Sequence, residues 1–329
     1  MRNLRLKTIL FCLSVAGILG CISGASAQVY PSHPITAVVG YAAGGPTDTL
    51  ARILVEPMKA SLGQPIVIEN VTGAAGSIGA GRVARAAPDG YTISIGDWST
   101  HVVNGAIYPL SYDLLKDFQP VSLLPSSPSL ILAKNALPPK NLTEFIGWLK
   151  ANQDKALIGT AGVGSPSHVS SIRLQSVTGT NAQLVPYRGA APAMQALVAG
   201  EVDVIFNQIS NSLPFVRAGK IKAYAVTTKT RLAAAPEIPT VDEAGLPGFY
   251  VSVWRGMWAP RGTSKEVIAR LNAAAVYALA DATLRKRLIE SGEDMPSREH
   301  QTPEALGAFQ KAEIERWWPI IKAAGIKPE

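Results

Sequence analysis

Along most of the chain, short apolar runs alternate with segments whose apolar residues recur every three or four positions. The run 35–41, ITAVVGY, is apolar apart from Thr36, as expected of a strand buried on both faces. Over 49–62, Leu50, Ile53, Leu54 and Met58 fall at helical spacing. A short strand is expected at 66–69, a small-residue helix at 77–86, a Pro88-Asp89-Gly90 turn and a strand at 91–95. The rhythm then repeats. Strands are predicted at 129–133, 157–160, 183–187, 202–206 and 222–227, and helices at 142–151, 167–178 and 193–199. From 265 onward the pattern is helical, at 265–280, 282–291 and 303–324. This order predicts an α/β chain with a largely parallel sheet, helix-covered on both faces.

Two α/β units emerge, 28–125 and 126–230. The remainder, 231–329, is too helical for a sheet of its own and is expected to pack back on the first unit, making one discontinuous domain. A length of 329 residues suits two domains or one large α/β domain. Two crossings between domains would leave a cleft, and small ligands bind at such clefts and at the carboxyl ends of parallel strands.

The first residues change the picture of where this happens. Arg2, Arg5 and Lys7 precede an almost uncharged apolar run, 9–22, and Ala25-Ser26-Ala27 supplies a small-x-small site. This is the pattern of a secretory signal peptide, 1–27, cleaved after Ala27, and it places the mature protein in the periplasm. The run is short for a membrane span. Ile18-Leu19-Gly20-Cys21 partly matches a lipobox, with Leu19 a poor fit, so lipidation at Cys21 is the alternative. Both cysteines, Cys12 and Cys21, lie in the signal. The mature chain would then carry no disulfide, thiolate metal site or cysteine nucleophile. Removing the three basic signal residues takes the net charge from +7 to +4. Lysines and arginines are scattered, which argues against nucleic-acid binding.

Catalytic motifs fail in specific ways. Gly40, Gly44 and Gly45 do not make G-x-G-x-x-G, and "GTAGVGS" at 159–165 lacks the lysine of a phosphate loop. Ser165 stands in V-G-S-P-S, not in the G-x-S-x-G of a nucleophile elbow. His33, His101, His168 and His300 are far apart in the sequence, so no metal site is expected. Neither a cofactor nor an activated nucleophile is expected. What remains is a set of similar loops, several joining strand to helix. They are Gly44-Gly45-Pro46-Thr47-Asp48, "TGAAGSIGAG" at 72–81 with Gly76 and Ser77, and "GDWSTH" at 96–101 with Asp97, Trp98, Ser99 and Thr100. "AGVGSPSH" at 161–168 and "PYRGAAP" at 186–192 complete the set. Each offers hydroxyls or backbone N–H groups to a carboxylate; any one alone reads better as an ordinary glycine turn with a helix cap, and the five together favour a solute trap.

These residues, in order, resemble the Bug receptors, the extracytoplasmic solute-binding components of tripartite tricarboxylate transporters. The likeness runs from "YPSHPITAVVGYAAGGPTDTLAR" through "GAAGSIGAGRVARAAPDGYTI", "YDLLKDFQPVSLL", "GSPSHVSSIRLQSVTG" and "VPYRGAAPAMQALVAGEVDVIF" to "PEIPTVDEAGLPGF" and "APRGTSKEVIARLN". It implies a two-domain type II periplasmic-binding-protein fold with an interdomain ligand cleft, closing on a small organic acid held by first-loop backbone and ordered water. Carried over, the likeness makes Gly44, Gly45, Thr47 and Asp48 first-loop ligand residues. It adds Ser165 and His168, then Tyr187, Arg188 and Gly189, and Asp203 in "GEVDV". Asp48 has an alternative role in satisfying backbone donors of the first helical turn. Trp98 either stacks on a flat acid or fills the core. Arg255, where an uncharged residue is more usual, either pairs with a second carboxylate or sits at the cleft rim. The expected protein is a monomeric carboxylate receptor feeding membrane permease subunits. A sensor subunit for a two-component system and an exported enzyme are the alternatives.

Overall fold

The computed structural model describes residues 30–327, and the signal-peptide and lipobox readings fall outside them. The compact body runs from His33 onward, and of the segment before it only Tyr30–Ser32 are described. In chain order the body comprises β1 (Ile35–Val39), α1 (Pro46–Leu62), β2 (Ile66–Asn70), α2 (Ser77–Ala84), β3 (Thr92–Asp97), α3 (Asn104–Ile107), β4 (Phe118–Lys134), α4 (Leu142–Ala151), β5 (Leu157–Thr160), α5 (Pro166–Thr178) and β6 (Gln183–Pro186). It continues with α6 (Ala190–Ala199), β7 (Val204–Gln208), α7 (Ile209–Arg217), β8 (Ile221–Val226), β9 (Ser252–Pro260), α8 (Lys265–Ala280), α9 (Ala282–Glu290) and α10 (Pro303–Ala323).

The nine strands form one continuous sheet in the order β2-β1-β3-β9-β4-β7-β5-β6, with β8 paired to β4. Strands β1, β2 and β3 are mutually parallel, as are β5, β6 and β7. The centre is not parallel: β9 runs antiparallel to β3 and β4, and β4 runs antiparallel to β7 and β8. The sheet is therefore mixed, which corrects the largely parallel expectation. The cause is β4, a 17-residue strand that joins two half-sheets. Its first part, Phe118 to Pro128, pairs with β9, and its second, from Ser129, pairs with β7 and β8. Pairing slips between Pro120 and Ser122 and again between Leu124 and Ser127. Prolines, which cannot donate to a ladder, sit at such irregularities.

Each half has its own core. Along the second part of β4 the side chains alternate between faces. Ile131 and Ala133 join Phe145, Leu149, Leu174 and Phe206 on one side. Leu130 and Leu132 join Leu197, Ile205, Ile209 and Leu213 on the other. The first half packs Val38, Val83, Val102, Val103 and Phe118 against Leu306, Ile314 and Ile321 of the last helix. Helix α8 lies along α1, and α10 along β4. Local signals explain the boundaries. Asn141 accepts from Glu144 N at 2.8 Å, and the Glu144 carboxylate in turn accepts from Lys140 N and Asn141 Nδ2, so α4 starts where the sequence puts it.

Candidate functional site

The first strand ends at Val39, and the chain turns through Gly44 before α1 begins at Pro46. Gly44 has φ +80°, a left-handed conformation that disfavours any residue with a Cβ. Proline at the first helical position needs no N–H partner, which explains a helix start earlier than the predicted 49. Gly45 caps this helix with no side-chain acceptor. Helix α6 likewise begins after Gly189 without a side-chain cap, whereas α5 is capped by Ser165, whose Oγ accepts from His168 N. Two helix starts thus leave backbone donors without a side-chain partner, and such donors suit an anion.

Around them lies a small inner cavity, lined by Tyr41, Gly45, Pro46, Thr47, Asp97, Ser129, Ala161, Pro166, Ser167, Ala190, Phe206, Asn207 and Gln208. The lining comes from both half-sheets. An outer cleft of about 1250 Å³ shares Tyr41 and Ala161 with it and adds Gly76, Tyr108, Tyr187, Arg188 and Pro192. The two halves touch directly here. Ala42 N donates to Arg188 O at 3.3 Å, Asn211 Nδ2 to Gly44 O at 2.7 Å, Ser99 Oγ to Gly164 O at 2.7 Å and Tyr108 OH to Val163 O at 2.7 Å.

The expected residues divide into several groups. Gly45, Thr47 and Asp97 line the inner cavity, and Gly76, Tyr187 and Arg188 line the outer cleft. Gly44, Asp48, Ser77, Ser99, Thr100, Ser165, His168 and Gly189 stand behind that lining. Asp48 is engaged by the protein itself: its carboxylate accepts from Gly44 N (2.8 Å), Arg52 Nε (2.9 Å) and Asn70 Nδ2 (2.9 Å). Burial alone would raise this carboxyl, but those bonds outweigh it and hold the group below the usual carboxylate range. Asp48 therefore shapes the loop. Ser77 Oγ and His168 Nδ1 are buried without a hydrogen-bond partner, and burial lowers His168 to about 4, so its ring is neutral near pH 7.

Trp98 points elsewhere. It packs edge-on against Trp317 and lines a separate groove of about 1210 Å³ with Arg173, Lys229, Tyr250, Trp254, Phe309 and Arg316. Asp203 precedes β7, at the end opposite Asn207 and Gln208, where it pairs with Lys134 at 2.7 Å and accepts from Leu157 N at 2.8 Å. Arg255 is neither at a rim nor free for a ligand. It is fully buried, pairs with Glu293 at 2.7 Å, donates to Pro125 O at 3.1 Å and bonds Gln208 Oε1.

Asp97 is the acid of the inner cavity. It sits in register with Arg255 across the β3–β9 pair. Its Oδ1 accepts from Tyr41 OH at 3.2 Å and Thr100 N at 3.1 Å. Burial raises the Asp97 carboxyl, opposed by the Thr100 N–H, the Arg255 charge, Tyr41 and the Ser99 N–H. Burial and the Asp97 charge together push the Tyr41 phenol well up. A π-helical turn, Ser99–Val103, holds this corner. Sequence reading missed Tyr41, Ser129, Ser167, Asn207 and Gln208. Asn207 and Gln208 had a usable signal, since they follow the predicted strand 202–206 at its carboxyl end.

The sequence profile described as "Tripartite tricarboxylate transporter family receptor" matches residues 50–326. A protein of Agrobacterium vitis, a UPF0065 protein in the TAR-I ttuE-ttuC' intergenic region, is 39% identical over 90% of this chain and 86% of its own. Among solved structures, the periplasmic binding protein BugD has a TM-score of 0.87 at 38% identity, covering 91% of this chain and 100% of its own. MatC from Rhodopseudomonas palustris, with bound malate, has a TM-score of 0.85 at 43% identity, covering 89% and 100%.

Proposed function

The chain belongs to the tripartite tricarboxylate transporter receptor family, a family of solute-binding receptors, and from that premise we propose that it captures a small organic carboxylate in the inner cavity and passes it to membrane permease subunits. The observation that carries this reading is the pair of uncapped helix starts, at Pro46 and Ala190, at the wall of a cavity bounded by both half-sheets. A carboxylate there receives fixed backbone donors, and with water excluded those bonds are stronger than in solution. Malate in the MatC structure, itself a small dicarboxylate, supports the ligand class.

In this reading the half-sheets are two domains, 28–125 with 231–329 and 126–230, hinged where β4 and β9 run between them. The first loop, with Gly44, Gly45, Thr47 and Asp48, forms one jaw. The loops holding Ser165 and Tyr187-Arg188-Gly189 form the other. The direct bonds between the halves fit a closed form. The protein works in the periplasm as a monomer after cleavage behind Ala27, needs no cofactor and leaves its ligand chemically unchanged.

A thermal-shift panel tests the function. The purified protein is unfolded and refolded to strip carried ligand, then offered aliphatic dicarboxylates, citrate, acidic amino acids, benzoate-type and nicotinate-type acids, with NAD and ATP as controls. A ligand at 100 times its Kd adds about 2.7 kcal/mol, roughly a few degrees for a chain of this length. A saturable shift with one class of acid is expected. A shift with a nucleotide alone refutes the proposal.

A further inference from the structure

The charge balance of the inner cavity says more about the ligand than its size does. Three ionisable side chains lie buried together at this corner, Asp97 in the cavity wall and Arg255 and Glu293 behind it, with exposures of 1%, 0% and 6%. Arg255 and Glu293 are paired at 2.7 Å and cancel. Asp97 is the member that lines the cavity, and although the Arg255 charge acts on it too, the three groups together carry one net negative charge. The other acid of the loop cluster, Asp48, has its own cation in Arg52. The nearby His101 and His168 are held neutral by burial, at about 3 and about 4, and so bring no positive charge.

Hydrogen-bond capacity points the same way. A carboxylate offers about four lone-pair positions. The protein fills two by direct hydrogen bonds, both on Oδ1, from Tyr41 OH and Thr100 N. Gln208 is a weaker competitor for a donor, because its neutral Oε1 already accepts from the Arg255 guanidinium with one of its two lone pairs. The rest of the polar lining consists of hydroxyls and amide groups from Thr47, Ser129, Ser167 and Asn207. Asp97 is thus the one charged acceptor on the wall, and it would repel a second carboxylate placed against it.

We propose, building on the carboxylate-receptor reading, that Asp97 selects a ligand bearing a hydrogen-bond donor, so that the solute is an amino- or hydroxy-substituted carboxylate. The ligand's carboxylate takes the helix-start donors and its ammonium or hydroxyl faces Asp97. The ammonium form is preferred, because it alone neutralises the charge that burial disfavours. The Arg255–Glu293 pair acts as a positioning device: it holds Gln208 with its oxygen turned away, leaving the amide N–H groups as donors.

The test is isothermal titration of refolded protein with matched triads on one carbon skeleton: aspartate, malate and succinate; glutamate, 2-hydroxyglutarate and glutarate; alanine, lactate and propionate. In whichever skeleton binds, the donor-bearing acids are expected to bind roughly 10- to 100-fold more tightly than the unsubstituted acid, the amino acid first, as for a hydrogen bond to a charged group. In Asp97→Asn this ratio should collapse to within about threefold, while the unsubstituted acid binds as well as before or better. Unsubstituted acids that bind the wild-type protein as tightly as their substituted partners overturn the proposal and leave the carboxylate reading intact; this comparison needs no variant to fold. An Asp97→Asn protein that folds and keeps the full ratio overturns it too. If no acid of any triad binds, the carboxylate reading fails and this inference falls with it.

Discussion

Of the spaces between the half-sheets, two are entered by consecutive residues: Asp97 opens onto the inner cavity and Trp98 onto the aromatic groove. The groove is the larger, and has more rings and more cations. Yet its polar groups are mostly spent on the protein. Trp254 Nε1 and Trp317 Nε1 both donate to Glu313 Oε2, at 3.1 and 3.2 Å, and Arg316 Nη1 reaches Oε1 of the same residue. Arg173 donates to Tyr250 O and Gly248 O and lies over Phe249, while Lys229 lies over Tyr250. In the cavity the balance is reversed. The helix starts at Pro46 and Ala190 lack side-chain caps, and one acid keeps a free position. Polar groups that satisfy one another hold a structure together; those left over at a wall are available to a ligand.

The sharpest way to break this comparison is to disturb the ion pair beneath the cavity. Arg255→Ala leaves Glu293 buried without its cation and is expected to lower stability by about 3–5 kcal/mol. Urea unfolding reads this, and adding Glu293→Gln to the same protein should recover part of the loss. Acidification comes next. His101 and His168 have folded values of about 3 and about 4, below an unfolded value near 6.5, so the unfolded state binds more protons between those limits. Their contribution is complete above pH 6.5 and declines as pH falls. Each should cost about 2 kcal/mol between pH 7 and pH 5. His168→Gln should flatten the urea-midpoint profile over that window, and an unchanged slope would show that His168 is not the titrating group.

Filling the cavity and trimming the groove separate the two spaces directly. Ala161→Leu places extra methylenes in the inner cavity; it is expected to cost about 1–3 kcal/mol and to abolish any carboxylate-induced thermal shift. Trp98→Phe removes an indole whose Nε1 has no partner. It should cost about 1 kcal/mol and leave the carboxylate shift in place. If Trp98→Phe removed the shift and Ala161→Leu kept it, the ligand would belong in the groove.

Much of the fold was legible because period alone decides it. The helix over Leu142–Ala151 and the strand Leu157–Thr160 stand at the predicted bounds, with Asn141 as the cap. The strands that join the halves were not legible. "FQPVSLLPSSPSL" contains three prolines, and only 129–133 read as strand; yet the whole of Phe118–Lys134 is extended, with pairing slips near two of them. "VWRGMWAP" places an arginine and a glycine mid-run and shows no alternation, because β9 is buried on both faces at the centre of the sheet. Helix α7 also went unread, its pattern interrupted by Pro214. Of the site, the glycine loop and Asp97 could be seen as chemistry near strand ends. Asp48 and Arg255 could not be assigned, since whether a charge meets a ligand or a partner depends on residues 22 and 38 positions away, Asn70 and Glu293.

The sequence by itself determined the alternation of strand and helix, the glycine turn and the family likeness, because each depends on residues close together in the chain or on a pattern spread along it. The tertiary structure alone decided which charges cancel. Arg255 finds Glu293 and Gln208, Asp203 finds Lys134, and Asp97 keeps an open side toward the cavity. Electrostatic pairing acts over a few ångströms in space with no regard to sequence separation, so only the folded sheet, by threading β4 through both halves, could settle it.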